Sequence, residues 1–359
     1  MMMTVRFLPS GVLLPVKASA CFDGRTLQQE TTDVNSDVTT DCISVWTSPL
    51  RRTFTVANSD LSGIICASVT PVTAQYGIDA GRLAMHCARL LENGCSFVST
   101  FGTTGEGASF STNEKIAALR ALRDAGADMS KQIPSVMTPS SDEAGRLIAE
   151  IAALGCRGAL VLPPFYYGSA TEGGIVAFFD AALAKAGNPD LDILLYNIPQ
   201  FSRITFTPTL VAKLVDRFGQ QIVGVKDSTG RLESGIELAQ GFPQLSVFTG
   251  DDRVLPHLLA KGGAGMIGGM PNLFASDLRR LYEAPDAASS EALKANAATR
   301  IEAVDGNGAL LALKATLAAL YGDAEWARAM PPLVAISSER AELVFKAIEG
   351  TGFAVRPAA

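Results

Sequence analysis

The chain has 359 residues, of which 48% are hydrophobic and 18% charged, and a formal net charge of −6. That balance fills a large core easily, and with no Lys/Arg-rich run it argues against a nucleic-acid partner. No apolar stretch approaches the ~18 residues of a membrane helix. The six cysteines (Cys21, Cys42, Cys66, Cys87, Cys95 and Cys156) show no CxxC spacing. They read as small buried hydrophobes of a reducing compartment rather than a disulfide framework.

The first sixty residues differ from the rest. The stretch TLQQETTDVNSDVTTDC is polar and aperiodic, which predicts a disordered or loosely attached extension over 1–60. Ahead of it, Arg6, an apolar patch and Ala18-Ser19-Ala20 have the layout of an export signal, but Pro9, Pro15 and Lys17 interrupt the apolar region. The expectation is a cytoplasmic protein whose first sixty residues are a nonfunctional extension or reflect an upstream start codon.

From Ser62 onward two periods alternate. GIICASVTP (63–71) reads as strand, and Asp79 starts a helix with Leu83, Met85, Cys87, Leu90 and Leu91 on its apolar face. SFVSTFG (96–102) is strand, and STNEKIAALRALRDAG is helix with Thr112 as its N-cap. The pairs continue with IPSVMT, GALVLPP, DILLYNIP, IVGVKDS, LSVFTGDD and GMIGG, each followed by a helical stretch, to give eight strand–helix units. Beyond Pro285 the pattern is purely helical and rich in Ala and Leu, so 61–285 is read as one domain and 286–359 as a C-terminal helical domain.

The strands are nearly continuous apolar runs, as parallel strands covered by helices require. Eight such units close into a (β/α)8 TIM barrel of the usual ~250 residues. An open doubly wound sheet would gather its unusual residues at one switch point. Here they mark almost every strand end: Thr70-Pro71, Thr103-Thr104, Thr138, Phe165-Tyr166, Tyr196-Asn197, Lys226, Thr249-Gly250-Asp251 and Gly268-Gly269. In a barrel those positions ring one mouth.

Lys226 is the strangest of them, an amine at the end of the apolar run Ile222, Val223, Val225. It either snorkels to solvent or pairs with Asp227, or it is a half-buried nucleophile for carbonyl carbons. GTTGEG (102–107) supplies a tight turn whose amides and hydroxyls can grip a carboxylate. Neither His86, within a helix and read as surface or interface, nor His257, on an outer helix, suits a metal cluster. No metal and no cofactor are expected; a pyridoxal-phosphate barrel would need a partner for the pyridine nitrogen, and none stands out.

Five stretches, GTTGEG, PPFYYGSATEG, YNIP, GVKDSTG and GGAGMIGGMPN, stand in the order and spacing of the dihydrodipicolinate synthase / N-acetylneuraminate lyase family, which the chain resembles over about Ser62–Leu333. The resemblance implies a barrel with a C-terminal helical domain, a Schiff base between a lysine and pyruvate, and a homo-oligomer built as a dimer of dimers. It assigns Lys226 as the Schiff-base lysine and Tyr196 as the proton shuttle. Thr103 becomes the hydroxyl that links Tyr196 to a second tyrosine, and Tyr166 the tyrosine lent across a dimer interface, with Phe165 and Tyr167 as competing registers. Thr104 with a neighbouring amide binds the pyruvate carboxylate, Gly102 belongs to the same loop, and the Ile267 carbonyl lies near the lysine.

The departures concern the second substrate. Lysine-pathway synthases of the family carry an arginine two residues after the proline of YN-P. This chain has Phe201 there and Arg203 two positions later. Gly107 stands where those members have serine, and Tyr167 and Gly168 where they have an asparagine and a basic residue. The expectation is a pyruvate-forming lyase or aldolase on a 2-keto acid, for instance a 2-keto-3-deoxy sugar acid. The alternatives are 4-hydroxy-tetrahydrodipicolinate synthase, a keto-acid dehydratase and a non-catalytic barrel.

Overall fold

The computed structural model describes residues 61–355. The extension expected over 1–60, with its export-like layout and two of the cysteines, lies outside the described residues. Eight strands, β1 (Gly63–Ala67), β2 (Phe97–Ser99), β3 (Ser135–Val136), β4 (Ala159–Val161), β5 (Ile193–Asn197), β6 (Ile222–Asp227), β7 (Ser246–Thr249) and β8 (Gly265–Gly268), are all parallel to their neighbours. Their order is β2-β1-β8-β7-β6-β5-β4-β3, and the two ends meet where the Ile133 and Ser135 amides donate to the Val98 and Thr100 carbonyls, at 2.8 Å each. The sheet is the expected (β/α)8 barrel.

Around it stand α1 (Ala80–Glu92), α2 (Thr112–Asp124), α3 (Ser141–Ala153), α4 (Glu172–Lys185), the single turn α5 (Pro199–Ser202), α6 (Pro208–Phe218), α7 (Leu232–Gly241), α8 (Leu255–Leu259) and α9 (Pro271–Glu283). Three further helices follow, α10 (Glu291–Val304), α11 (Leu310–Tyr321) and α12 (Ser338–Glu349). Among the described residues no single helix is long and apolar enough to cross a membrane. The four described cysteines are free and buried.

Helix starts follow local chemistry. Asp79 caps α1 through the Arg82 amide, while Thr171 and Thr207 cap α4 and α6. The cap of α2 is Ser111, not Thr112. Ser111 and Glu114 close a reciprocal capping box, and Thr112 is the first helical residue. The apolar face of α1 is also phased differently from the sequence expectation. Leu83, His86, Cys87 and Leu90 are buried, whereas Met85 is 44% exposed.

Two cores result. Ile65, Phe97, Ile133, Leu160, Leu194, Tyr196, Val223, Phe248 and Ile267 fill the barrel interior. The alternate residues, among them Ile64, Cys66, Val98, Val161, Leu195, Val225 and Val247, pack against the helices. This alternation is the pleat at work. β6 breaks it: Val223 points in and Val225 points out, although they stand two positions apart, a spacing that keeps a regular strand's side chains on one face. The register explains this, since Ile193 pairs with Ile222 but Leu194 pairs with Gly224, a bulge that skips Val223. From Gly224 on, the phase matches β5, so Leu195 and Val225 face the helices while Tyr196 and Lys226 face the interior.

Gly224 is required at that bulge. A Cβ there would lie 2.5 Å from the Ser246 carbonyl oxygen on β7. Gly224→Ala is therefore expected to push the two strands apart and to lower unfolding stability by about 1–3 kcal/mol, read as a shift of the urea midpoint. An unchanged midpoint would contradict the close approach.

Candidate active site

The bulge delivers Lys226, 4% exposed, to the inner face at the C-terminal end of β6. Its Nζ stands 4.0 Å from the centroid of the Tyr196 ring, the neighbour with which it is registered across β5 and β6. Neither the snorkelling alternative nor the Asp227 pair is realised. Asp227 faces the helices, where its carboxylate accepts from Asn197 Nδ2 at 3.0 Å and from the Thr229 amide and hydroxyl. Burial pushes the Asp227 carboxyl up from its ordinary value, and the hydrogen bonds from Ser234, Thr229 and Asn197 oppose that rise. Among the described residues Lys226 forms no ion pair.

Asn197 also accepts the Phe206 amide through Oδ1 at 3.0 Å. The pair Asn197–Asp227 thus clasps β5 to β6 from outside at the level where Tyr196 and Lys226 meet inside.

The Tyr196 hydroxyl, buried with its ring, shares a 3.0 Å hydrogen bond with Thr103 Oγ1. Thr103 belongs to the loop after β2, a double turn in which the Glu106 amide donates to the Thr103 carbonyl and the Gly107 amide to that of Gly102. The amides of Thr104 and Gly105 donate to no group among the described residues, which leaves two donors side by side for an anionic oxygen. Gly105 lies against the end of β1, where Thr70 Oγ1 donates to its carbonyl at 2.7 Å. Gly107 is fixed by sterics rather than by substrate, because a Cβ there would sit 1.7 Å from the Phe101 carbonyl oxygen. A Cβ on Gly269 would approach Thr104 Oγ1 to 3.3 Å, so the loop after β8 also borders the site. Ile267 is fully buried on β8, inside the barrel.

The aromatics after β4 divide. Phe165 packs against the inner core, while Tyr166 and Tyr167 project, 83% and 72% exposed, with their rings edge to face at 5.2 Å. Tyr166 adopts φ 86°, a strained conformation for a bulky residue. Nothing within the described residues brings Tyr166 to Thr103. Phe201 is 66% exposed on α5, and Arg203 follows at φ 62°. The Arg203 stem occupies the space that a side chain on residue 168 would need, since a Gly168 Cβ would lie 2.5 Å from Arg203 Cβ. Among the described residues the guanidinium has no ion-pair partner.

Several supporting residues escaped sequence reasoning. Asn272 accepts the Val69 amide at 3.1 Å and donates to the Ala67 and Gly269 carbonyls, stitching the end of β1 to the loop after β8. His86 completes this knot. It is 1% exposed, not the surface residue expected, with Nε2 2.9 Å from Asn272 Oδ1 and Nδ1 2.7 Å from the Tyr321 hydroxyl. Asn272 ends the stretch GGAGMIGGMPN, and its side-chain type there is the available signal. Among the described residues no three His, Cys, Asp or Glu side chains form a metal-binding group. An open cavity of about 500 Å³ does lie at the opposite, N-terminal end of the strands, beside Ser62, Phe97, Lys131 and Arg279. Its one lysine stacks on Phe97 at 5.3 Å, and barrel chemistry belongs to the other end.

A profile of the dihydrodipicolinate synthetase family matches residues 60–350. An uncharacterized DapA-like lyase from Chloroflexus aurantiacus is 35% identical over 62% of this chain and 74% of its own length. A 4-hydroxy-tetrahydrodipicolinate synthase from Synechococcus sp. (strain CC9605) is 32% identical over 68% of this chain and 80% of its own. Among solved structures, the dihydrodipicolinate synthase of Agrobacterium tumefaciens superposes with a TM-score of 0.73 at 30% identity, covering 80% of this chain and 99% of that one.

Burial lowers the His86 imidazole to about 4, against the opposing Asn272 hydrogen bond. The sign follows from linkage. The folded value lies below the unfolded value of ~6.5, so the unfolded chain takes up the proton first and stability falls as pH drops from ~6.5 towards 4. The His86 ring carbon shifts are expected to stay constant between about pH 8 and 5.5. A titration centred near ~6.5 would contradict the buried placement.

Proposed function

Since the chain belongs to the dihydrodipicolinate synthetase family of lyases and aldolases, we propose that Lys226 forms a Schiff base with a 2-keto acid and that the protein makes or breaks the carbon–carbon bond beside it. The observation that carries this reading is the buried Lys226 amine stacked 4.0 Å from the Tyr196 ring, whose hydroxyl is bonded to Thr103. In the cleavage direction the amine attacks C2 of the keto acid and water leaves, giving the imine. The imine nitrogen is protonated, and Tyr196 has passed its own proton on through Thr103. Tyr196 then removes the proton of the C4 hydroxyl, the C3–C4 bond breaks, and the bond's electrons pass to the imine nitrogen as the aldehyde departs, leaving the neutral enamine. Tyr196 returns its proton to C3 of the enamine, and water hydrolyses the pyruvate imine to free Lys226.

Thr104, with the free amides of its loop, holds the carboxylate, and the Gly102 turn supports them. Ile267 presents its carbonyl beside the nitrogen. Thr103 passes protons between Tyr196 and Tyr166 of a second copy; the inward Phe165 has no hydroxyl for this role, and the strained backbone of Tyr166 favours it over the similarly exposed Tyr167. The same exposure of Tyr166, Tyr167 and Phe201 supports a homo-oligomer. We take it to be a dimer of dimers working in the cytoplasm.

The aldehyde partner follows from α5. Phe201 offers a ring where a carboxylate-binding arginine would stand, which favours a hydroxylated aldehyde and hence a 2-keto-3-deoxy sugar acid. The lysine-pathway synthase reading keeps one specific support, the unpaired Arg203 lodged against Gly168.

Pyruvate with borohydride is expected to inactivate the protein and to add mass at Lys226 alone; labelling of another lysine, or full activity in Lys226→Ala, would refute the mechanism. Thr103→Val is expected to lower turnover about a hundredfold while thermal stability holds. For the partner, kcat/KM is compared for aspartate semialdehyde and a hydroxylated aldehyde, in wild type and Arg203→Ala. The hydroxylated aldehyde is expected to win. Efficient condensation of aspartate semialdehyde, lost selectively in Arg203→Ala, would install the synthase.

A further inference from the structure

One acidic residue in the carboxylate-gripping loop faces away from the site. Glu106, two residues beyond Thr104, is held at φ 54°, in the left-handed region that non-glycine residues seldom occupy. Its side chain, 1% exposed, pairs with Lys314 of α11, which is fully buried. Glu106 also accepts the Met330 amide at 2.6 Å, and Lys314 donates to the Arg328 carbonyl at 2.7 Å. Leu313, the neighbour of Lys314, lies against Gly269, the glycine that also borders Thr104. Burying two charges is costly and seldom adds net stability. Burial lowers the Lys314 ammonium from its ordinary value even with Glu106 opposing. A loop needing only to be tight could have used an apolar residue at either position.

We propose that Glu106 and Lys314 are positioning residues, through which the C-terminal helical domain sets the carboxylate grip of the loop 103–105. The inference rests on the Schiff-base reading above. The pair fixes where Glu106 sits. The turn that joins the Glu106 amide to the Thr103 carbonyl at 3.1 Å then fixes Thr103 beside Tyr196 and aims the free Thr104 and Gly105 amides at the mouth. The grip should therefore depend on a charge in a different domain, and it should do so separately from stability.

The test uses the full chain with Glu106→Gln, Lys314→Met and the double variant. Three quantities are read: thermal midpoint, amide exchange of the segment 101–109 without ligand, and the pyruvate concentration that half-saturates borohydride trapping at Lys226. Each single variant leaves one buried group without its partner, so the midpoint falls, exchange quickens and half-saturating pyruvate rises about tenfold, the low end of the cost of a misplaced binding group. The double variant buries no unpaired charge and should recover most of the midpoint, while half-saturation stays raised. Recovery of half-saturation together with the midpoint would reduce the pair to a structural element and overturn the proposal. So would wild-type half-saturation or unchanged exchange in Glu106→Gln, which alone decides if the double variant does not fold. A wild type that pyruvate never traps refutes the Schiff-base reading instead, and the exchange measurement still judges the coupling.

Discussion

The site depends on one irregularity in the pleat. A lysine at the end of a regular β6 would have continued the phase of Val223 and pointed at the helices; the bulge at Val223–Gly224 turns it inward onto Tyr196. A bulge of this kind re-aims a side chain at the cost of local ladder pairing. That cost is met by close contact of β6 with β7 at Gly224 and by the Asn197–Asp227 clasp outside β5 and β6. The inner face then carries a lysine, a tyrosine and a threonine in contact, with no carboxylate to hold the amine as a static ion pair among the described residues.

The mouth is built on a polar scaffold. Asn272 and His86 tie β1, α1 and the loop after β8 to Tyr321 of α11. Arg300 of α10, fully buried, pairs with Asp252 after β7 at 2.9 Å, and Lys314 of α11 pairs with Glu106 after β2. Two of the helices beyond Pro285 therefore each send a cation into a loop at the C-terminal end of the barrel strands. Apolar replacement of a buried ion pair is often neutral or stabilising, so the presence of these two pairs suits precise placement of loops better than bulk stability.

Much of this was legible in the sequence. Parallel strands buried on both faces are apolar runs, and helices announce themselves by their caps, so the barrel, the eight units and the mouth residues could be read directly. The same apolarity hid the bulge. Val223 and Val225 look alike whether a strand is regular or not, and only the pairing shows which way Lys226 points. Apolarity alone favours Met85 over His86 for the buried face of α1; hydrogen bonds to Asn272 and Tyr321 reward the histidine's burial, and neither partner is local. Nothing local marks Lys314 and Arg300 in their Ala/Leu-rich helices, because their acidic partners are distant in sequence. Gly107 in sequence looks like a departure tied to substrate, whereas the backbone of Phe101 dictates it. Ser111 and Thr112 are both good caps, and the Glu114 spacing favours Ser111.

The most direct test of the central claim is a crystal structure of the protein after reduction with borohydride in the presence of pyruvate. The account predicts a secondary amine on Lys226 inside the barrel, with the added carboxylate on the Thr104 and Gly105 amides, the Tyr196 hydroxyl bonded to Thr103 beside the former methyl carbon, and Val223 skipped in the pairing with β5. A regular β6 with Lys226 directed at the helices, or an adduct anchored away from the loop 103–105, would contradict it.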